Sequence, residues 1–99
     1  MKADFFKAIG HPTRLELINA LSGGPLCVCE LFDQNESTQP NISQHLKILK
    51  DADILESSRE GNKIMYRIKH EEVFDILKLS GIIILKEIET LKNVGKQNV

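Results

Sequence analysis

The spacing of apolar residues predicts three short helices in the first third of the chain, over residues 3–9, 12–22 and 27–34. Gly10 ends the first helix, and Pro12 suits the first position of the second, where its missing N–H would be unpaired anyway. A Ser-Gly-Gly-Pro run ends the second helix. His11 stands at the head of that helix, so we expect it to cap the helix rather than to bind a metal.

A fourth helix is predicted over about residues 38–51, after a turn formed by Asn35-Glu36-Ser37. Thr38 suits its N-cap, and Pro40 is tolerated within its first turn. One face of this helix is apolar and carries Ile42, Leu46 and Leu49. Two short helices joined by a tight turn, the second with polar residues at its start, predict a helix-turn-helix in which the second helix recognises DNA.

After the fourth helix the apolar pattern changes to alternation. Residues 55–59 and 64–68 suit strands, and Glu60-Gly61-Asn62-Lys63 suits the turn between them. A hairpin over about 55–69, directly after a recognition helix, is the wing of a winged helix-turn-helix. The predicted fold is therefore a single domain over residues 1–99, mainly α with a small β-hairpin.

The last helix is predicted over about residues 71–92, and its centre is apolar nearly all round, with the unbroken run Ile82 to Leu85. A helix that is apolar on more than one face needs a second surface to bury against. A second copy of the chain is the simplest supplier, through a two-fold contact. We therefore expect a homodimer that forms through the terminal helices.

The composition, with 41% hydrophobic and 27% charged residues, is ordinary for a soluble globular domain. The net charge of −1 does not favour nucleic acid, although residues 37–70 are the only net-basic part of the chain. The longest apolar run is too short to span a membrane, and the N-terminus lacks the apolar run of a signal peptide. We therefore expect a cytoplasmic protein without membrane contact.

A recognition helix reads base edges in the major groove with the side chains of its first turns. Amide and hydroxyl groups offer a donor and an acceptor together, and the base-reading residues predicted on this ground are Gln39, Asn41, Ser43 and Gln44. Lys47 and the wing residues Arg59 and Lys63 are expected to contact phosphates. For His45 we expect packing or a phosphate contact, and metal ligation is the least favoured role.

The chain has two cysteines, Cys27 and Cys29, at the head of the third predicted helix. In a reducing compartment a close pair more often binds metal or does redox work than forms a structural bridge. Thiolates prefer soft, thiophilic ions, and a helix N-terminus lowers a thiol pKa. Side chains two residues apart point about 200° apart on a regular helix. Binding of one ion by both thiolates therefore requires the start of the helix to unwind or bend.

Other roles for the cysteine pair stay open. Oxidation could replace ion binding in a redox-responsive repressor, although a bridge across one intervening residue is expected to be strained. The two thiols could also simply pack as small hydrophobes. A thiol oxidoreductase would need Cys-x-x-Cys within a βαβ pattern, which the sequence lacks, so no enzyme is expected.

Over nearly its whole length the chain resembles the ArsR/SmtB family of metal-responsive winged-helix repressors. Residues 8–15 (Ala-Ile-Gly-His-Pro-Thr-Arg-Leu) resemble that family's N-terminal signature, and residues 37–50 resemble its recognition helix. Gly61-Asn62-Lys63 and Tyr66-Arg67-Ile68 resemble its wing. The resemblance implies a homodimer that needs no cofactor to bind an operator near its own promoter and that dissociates when its ligand binds.

Within that family, residues 26–31 (Leu-Cys-Val-Cys-Glu-Leu) are similar to the motif of the arsenical-resistance repressors. Those repressors often carry a third cysteine where this chain has Phe32. The resemblance implies As(III) or Sb(III), or another thiophilic ion, as an inducer bound by Cys27 and Cys29, with water, hydroxide or a small thiol completing the shell. The family's zinc site on the last helix is not matched, because no histidine follows His70.

Overall fold

The computed structural model describes residues 2–33 and 39–97, with side chains over 3–32 and 40–91. Within these ranges the protein folds into five α-helices, one 3-10 helix (Leu21–Gly23) and three strands. Their bounds are α1 (Lys2–Ile9), α2 (Pro12–Ala20), β1 (Leu26–Cys27), α3 (Val28–Asp33), α4 (Gln39–Asp51), β2 (Leu55–Glu60), β3 (Lys63–Ile68) and α5 (Glu72–Gln97). The predicted mainly helical fold with a small hairpin is confirmed. The predicted turn at 35–37 and the Thr38 N-cap lie outside the described residues.

The strands form one antiparallel sheet in the order β1-β3-β2. The hairpin of β2 and β3 runs from the pair Leu55–Ile68 to the pair Glu60–Lys63. Gly61 supplies a positive φ of 63° at the first position of the two-residue turn, as a type II′ turn requires. The wing predicted from alternating residues is therefore present as a twisted hairpin.

The third strand, β1, corrects the sequence analysis, which began a helix at residue 27. Leu26 pairs with Tyr66 and Cys27 with Met65, so this segment adds a short strand to the free edge of the wing. Helix α3 starts only at Val28. The reason is tertiary, since the hydrogen-bonding groups of Leu26 and Cys27 have partners in β3 only when the wing is folded beside them.

The core is aliphatic and lies beneath α4. Ile42, Leu46 and Leu49 are fully buried on one face of α4, against a cluster supplied by the other helices and the base of the wing. The main members of that cluster are Leu17, Ile18, Leu21, Leu31, Ile54, Leu55 and Val73. Because this one row of α4 faces the core, Asn41, Ser43, Gln44 and Lys47 face outward.

Helix α5 leaves the body of the protein after its first turns. Val73 is buried, and Phe74 and Leu77 pack partly against the core. Beyond them, large apolar side chains with exposed fractions between 39% and 69% follow along the helix: Leu79, Ile82, Ile83, Ile84, Leu85, Ile88 and Leu91. Within the described residues, no helix combines the length and apolarity needed to cross a bilayer.

The substitution Leu46→Ala tests the central position of the core. We expect it to lower the free energy of unfolding by about 3 kcal/mol, since it removes a fully buried side chain and leaves a cavity. Lys50→Ala, on the exposed side of the same helix, should change that free energy by no more than about 0.5 kcal/mol. Urea unfolding at fixed protein concentration measures both. Equal effects of the two substitutions would show that α4 is not packed as described.

Candidate DNA-binding surface and cysteine site

The outward side of α4 carries most of the polar residues predicted to read bases. Asn41, Ser43 and Gln44 are exposed there, while the side chain of Gln39 lies outside the described residues. Lys47 is also exposed and forms an ion pair with Asp51 at 3.2 Å between Nζ and Oδ2. Such a solvent-exposed pair contributes little free energy, so Lys47 can exchange its partner for a phosphate.

The wing presents two of the predicted phosphate contacts. Arg59 and Lys63 are exposed, and within the described ranges neither side chain makes a hydrogen bond or an ion pair. Arg67 differs, because its Nη2 donates to Ser58 Oγ at 2.8 Å and holds the two strands of the wing together. The free cationic groups of the wing are thus close to its tip.

His45 was predicted either to pack or to contact a phosphate. Its side chain is buried, because position 45 falls on the same face of α4 as Ile42 and Leu49. The His45 ring lies against the His11 ring, with centroids 4.5 Å apart, and its Nδ1 is 3.4 Å from Arg14 Nη1. The expected packing role is therefore the one that the structure shows.

Arg14 and His11 join α4 to the first two helices. Arg14 Nε donates to the carbonyl of Ala8 at 2.6 Å, and its Nη2 donates to that of Lys7 at 3.2 Å, at the end of α1. His11 Nδ1 accepts the N–H of Thr13 at 3.1 Å, which confirms the predicted N-cap. The sequence analysis assigned no role to Arg14, although the residue stands in the His-Pro-Thr-Arg segment that the family resemblance singled out.

This cluster keeps His45 neutral. Burial lowers the pKa of His45 below its ordinary value, and the neighbouring His11 and Arg14 lower that pKa further. A guanidinium only donates hydrogen bonds, so the contact with Arg14 requires His45 Nδ1 to be unprotonated. Protonation of His45 on acidification therefore places a second positive charge beside the Arg14 guanidinium.

The stability of the protein should fall on acidification through this cluster. The unfolded chain binds a proton at His45 more readily than the folded chain does, so the free energy of unfolding decreases as the pH drops through about 6.5. In His45→Gln the free energy of unfolding should fall less as the pH decreases. His70→Gln, an exposed control, should show the same pH dependence as the parent protein. Urea unfolding between pH 5 and 8 measures the three profiles. Parallel profiles for His45→Gln and the parent protein would contradict the assignment.

The two cysteines lie in different elements. Cys27 is buried at the end of β1, and Cys29 is exposed in the first turn of α3. Their sulfurs form a disulfide across Cα atoms 5.4 Å apart, a spacing within the ordinary range for such bonds. The backbone N–H of Glu30 also donates to Cys27 Sγ at 3.4 Å.

This placement corrects two expectations. The sulfurs were expected to diverge on a regular helix, and a bridge between them was expected to be disfavoured. Both expectations assumed that Cys27 and Cys29 share helical geometry, whereas the extended backbone of β1 turns Cys27 toward Cys29. The two sulfurs therefore meet without any unwinding of α3.

A cleft of about 370 Å³ opens beside the cysteines, and its walls come from three functional elements. The cysteine segment forms one wall, Ser43 of α4 another, and the end of the wing the third. The lining residues are Cys27, Val28, Cys29, Ser43, Asn62, Lys63 and Ile64. Pairing of β1 with β3 creates this arrangement, because it holds the cysteine segment beside the wing strand. The sequence analysis named Ser43 and Lys63 for DNA only and did not connect them with the cysteines.

The described residues contain no group of three or more His, Cys, Asp or Glu side chains placed to hold a metal ion. Cys27 and Cys29 are thus a two-sulfur donor pair, and their role as ligands stays a prediction. Soft donors of this kind suit thiophilic ions rather than magnesium or calcium.

Comparison with known proteins decides the family. Residues 11–57 match the family model described as bacterial regulatory protein, arsR family. The chain is also 35% identical over 77 residues to the arsenical resistance operon repressor of Staphylococcus aureus, covering 78% of this chain and 74% of that protein. The chain belongs to the ArsR family. The family predicted from the sequence motifs is confirmed.

Two further comparisons cover most of the chain. A transcriptional regulator of the helix-turn-helix type from Methanocaldococcus jannaschii, itself uncharacterized, is 44% identical over 78 residues, which are 78% of this chain and 88% of that protein. The homodimeric winged helix-turn-helix domain of a possible ArsR-family regulator from Mycobacterium bovis superposes with a TM-score of 0.74 at 27% identity, covering 83% of this chain and 76% of that one. This protein is accordingly a transcriptional repressor of the ArsR/SmtB family and not an enzyme.

Proposed function

We propose that this ArsR-family repressor leaves its operator when a thiophilic ion, As(III) or Sb(III) foremost, binds Cys27 and Cys29. The observation that carries the proposal is the shared cleft, in which both cysteines lie beside Ser43 of the recognition helix and Lys63 of the wing. Similarity to the arsenical resistance operon repressor of Staphylococcus aureus supports the choice of ion.

The cysteine pair suits a soft ion after reduction. Buried Cys27 gives the site a fixed position, and exposed Cys29 gives an ion access from solvent. Because the Cα atoms of Cys27 and Cys29 lie only 5.4 Å apart and Cys27 is outside α3, both thiolates can reach one coordination shell. The ion therefore binds without the helix distortion that the sequence pattern implied.

Release follows from linkage between the ion and DNA. In the proposed complex, α4 lies in the major groove, and Lys47, Arg59 and Lys63 contact phosphates. The ion and its remaining ligands enter a space bounded by Ser43 and Lys63, so the DNA-contacting elements change position or charge when the site fills. DNA then weakens ion binding by the same factor by which the ion weakens DNA binding.

The ion requirement is tested with the reduced protein and labelled operator DNA from upstream of its own gene. Arsenite and antimonite should release the DNA in a fluorescence anisotropy titration, with cadmium and zinc as comparison ions. Cys27→Ser and Cys29→Ser should keep the operator affinity within about threefold and lose the response, since each removes one of two thiolates. An intact complex at arsenite concentrations that saturate both thiols would refute the proposal.

A redox-responsive repressor is the second candidate, and the bonded sulfurs of Cys27 and Cys29 favour it. A peroxide arm in the same titration separates the two candidates. Release by peroxide together with indifference to arsenite would favour oxidation. Cysteine variants that behave like the parent protein toward ions and peroxide alike would leave the cysteines a packing role.

We also propose that the DNA-binding unit is a homodimer formed through α5. The exposed apolar residues of α5 provide a surface that a second copy would bury, and the Mycobacterium bovis neighbour is homodimeric. A two-fold dimer presents two recognition helices to two half-sites of an operator.

The substitution Ile84→Glu tests the dimer, because it places a charge on an apolar stripe of α5. We expect a shift toward monomer in light scattering and an operator affinity weaker by at least roughly tenfold, because the two half-sites are then bound separately. Lys86→Glu is the matched control, because residue 86 lies two positions after residue 84 and its side chain therefore points about 200° away from that of Ile84 around the helix axis. Dimeric Ile84→Glu protein with normal operator affinity would place the interface elsewhere.

A further inference from the structure

We propose that the third ligand of the bound ion is a low-molecular-weight thiol carrying a carboxylate, which Lys63 holds in the cleft. The inference rests on the proposed function and specifies how its site is completed. It names a second small molecule that the repressor recognises together with the ion.

The need for an external ligand follows from the number of sulfurs. Trivalent arsenic forms three bonds, and the whole chain has two cysteines. The position at which a third cysteine would follow in the motif is Phe32, which packs partly against the core. The third bond therefore goes to a ligand from solution, and a thiol satisfies a soft ion better than water does.

The cleft has room for such a ligand. Its volume of about 370 Å³ is several times that of the ion and a single water molecule, whose share of liquid volume is about 30 Å³. Val28 and Ile64 provide apolar surface for a short carbon chain, while Ser43 and Asn62 provide hydrogen-bonding groups. A thiol with two or three carbons beyond its sulfur fits these walls.

The charge of the cleft favours a negatively charged group at the end of the thiol away from its sulfur. Lys63 is the one cationic residue among the described lining residues, and none of them is acidic. Within the described ranges its ammonium group has no hydrogen bond or ion pair, so it can bind a carboxylate. Arg59 lies across from Ile64 on the neighbouring strand and does not line the cleft.

The chemistry balances with the thiol as its only co-reactant. Two thiol molecules first reduce the Cys27–Cys29 disulfide by exchange, which gives two protein thiols and one small disulfide. Arsenous acid then exchanges its three hydroxyls for two protein sulfurs and the sulfur of a further thiol. Three As–O bonds break, three As–S bonds form, and three thiol protons leave with the hydroxyls as three water molecules. Arsenic stays trivalent throughout.

This arrangement gives Lys63 two competing partners. In the repressor–operator complex it is a predicted phosphate contact, and in the induced state it pairs with the carboxylate of the thiol. The thiol also occupies the space beside Ser43. Binding of the thiol to the ion therefore removes Lys63 from the DNA-contacting residues of the wing. Its contact with a phosphate would otherwise contribute to DNA affinity.

The experiment uses full-length reduced protein bound to its operator and titrates arsenite in the presence of one of two thiols. These are 3-mercaptopropionate, which carries a carboxylate, and 2-mercaptoethanol, which does not. Half-release should need about three- to fivefold less arsenite with 3-mercaptopropionate, as expected for one ion pair near the surface. Native mass spectrometry should show one arsenic and one 3-mercaptopropionate bound per chain.

Two wing variants give the decisive comparison. Lys63→Gln should weaken DNA binding and lower the preference for 3-mercaptopropionate by about three- to fivefold relative to the parent protein, as expected for loss of one ion pair near the surface. Arg59→Gln should also weaken DNA binding but keep the preference, since Arg59 lies outside the cleft. Any intrinsic difference between the thiols as arsenic ligands acts equally on all three proteins and therefore cancels.

The outcomes separate this inference from the proposed function. A preference in Lys63→Gln equal to that of the parent protein overturns the inference and leaves arsenite induction standing. Arsenite release that persists in Cys27→Ser, or no release with either thiol, overturns the proposed function and the inference together.

Discussion

The pairing of β1 with β3 is the constraint on which the cysteine site depends. Two residue pairs, Leu26–Tyr66 and Cys27–Met65, hold the cysteine segment against the wing. They keep Cys27 extended, so that α3 begins one residue later and Cys29 emerges from its first turn. Without this pairing, both cysteines would lie on one helix and their sulfurs would diverge. The same contact makes the cysteine segment and the DNA-facing wing neighbours.

The recognition helix is oriented by what it buries. Ile42, Leu46 and Leu49 face the core, which turns the polar positions of α4 outward. His45 adds a polar anchor to this packing, because Arg14 contacts it while also binding carbonyls at the end of α1. The orientation of the side chains predicted to read bases therefore depends on aliphatic burial and on the contact between His45 and Arg14.

The proposed coupling between inducer and DNA rests on short distances. The cleft that contains the cysteines is bounded by Ser43 of α4 and by Lys63 of β3, both predicted DNA contacts. Under the proposed function, a ligand in that space would act on both elements directly, through its volume and charge. Within the described residues, the long helix α5 lines no part of the cleft. Its exposed apolar residues serve the proposed assembly rather than ion binding.

The amino-acid sequence by itself determined the helix-turn-helix, the wing and the apolar last helix. These features come from local periodicity, which records the face of each element that must be buried. The motif around Cys27 and Cys29 also identified the candidate ligands. Residues 8–15, the recognition helix and the wing identified the family, whose membership the comparisons confirmed.

Tertiary structure alone decided where those ligands lie and what surrounds them. A strand of two residues has no period to detect, and β1 exists only because β3, almost forty residues later, supplies its hydrogen bonds. The sequence left packing and a phosphate contact both open for His45, because its partner His11 lies 34 residues earlier, at the N-cap of α2. The cleft beside the cysteines joins residues from three separate segments. Local patterns cannot encode such a contact, because it forms only when the distant segments pack together.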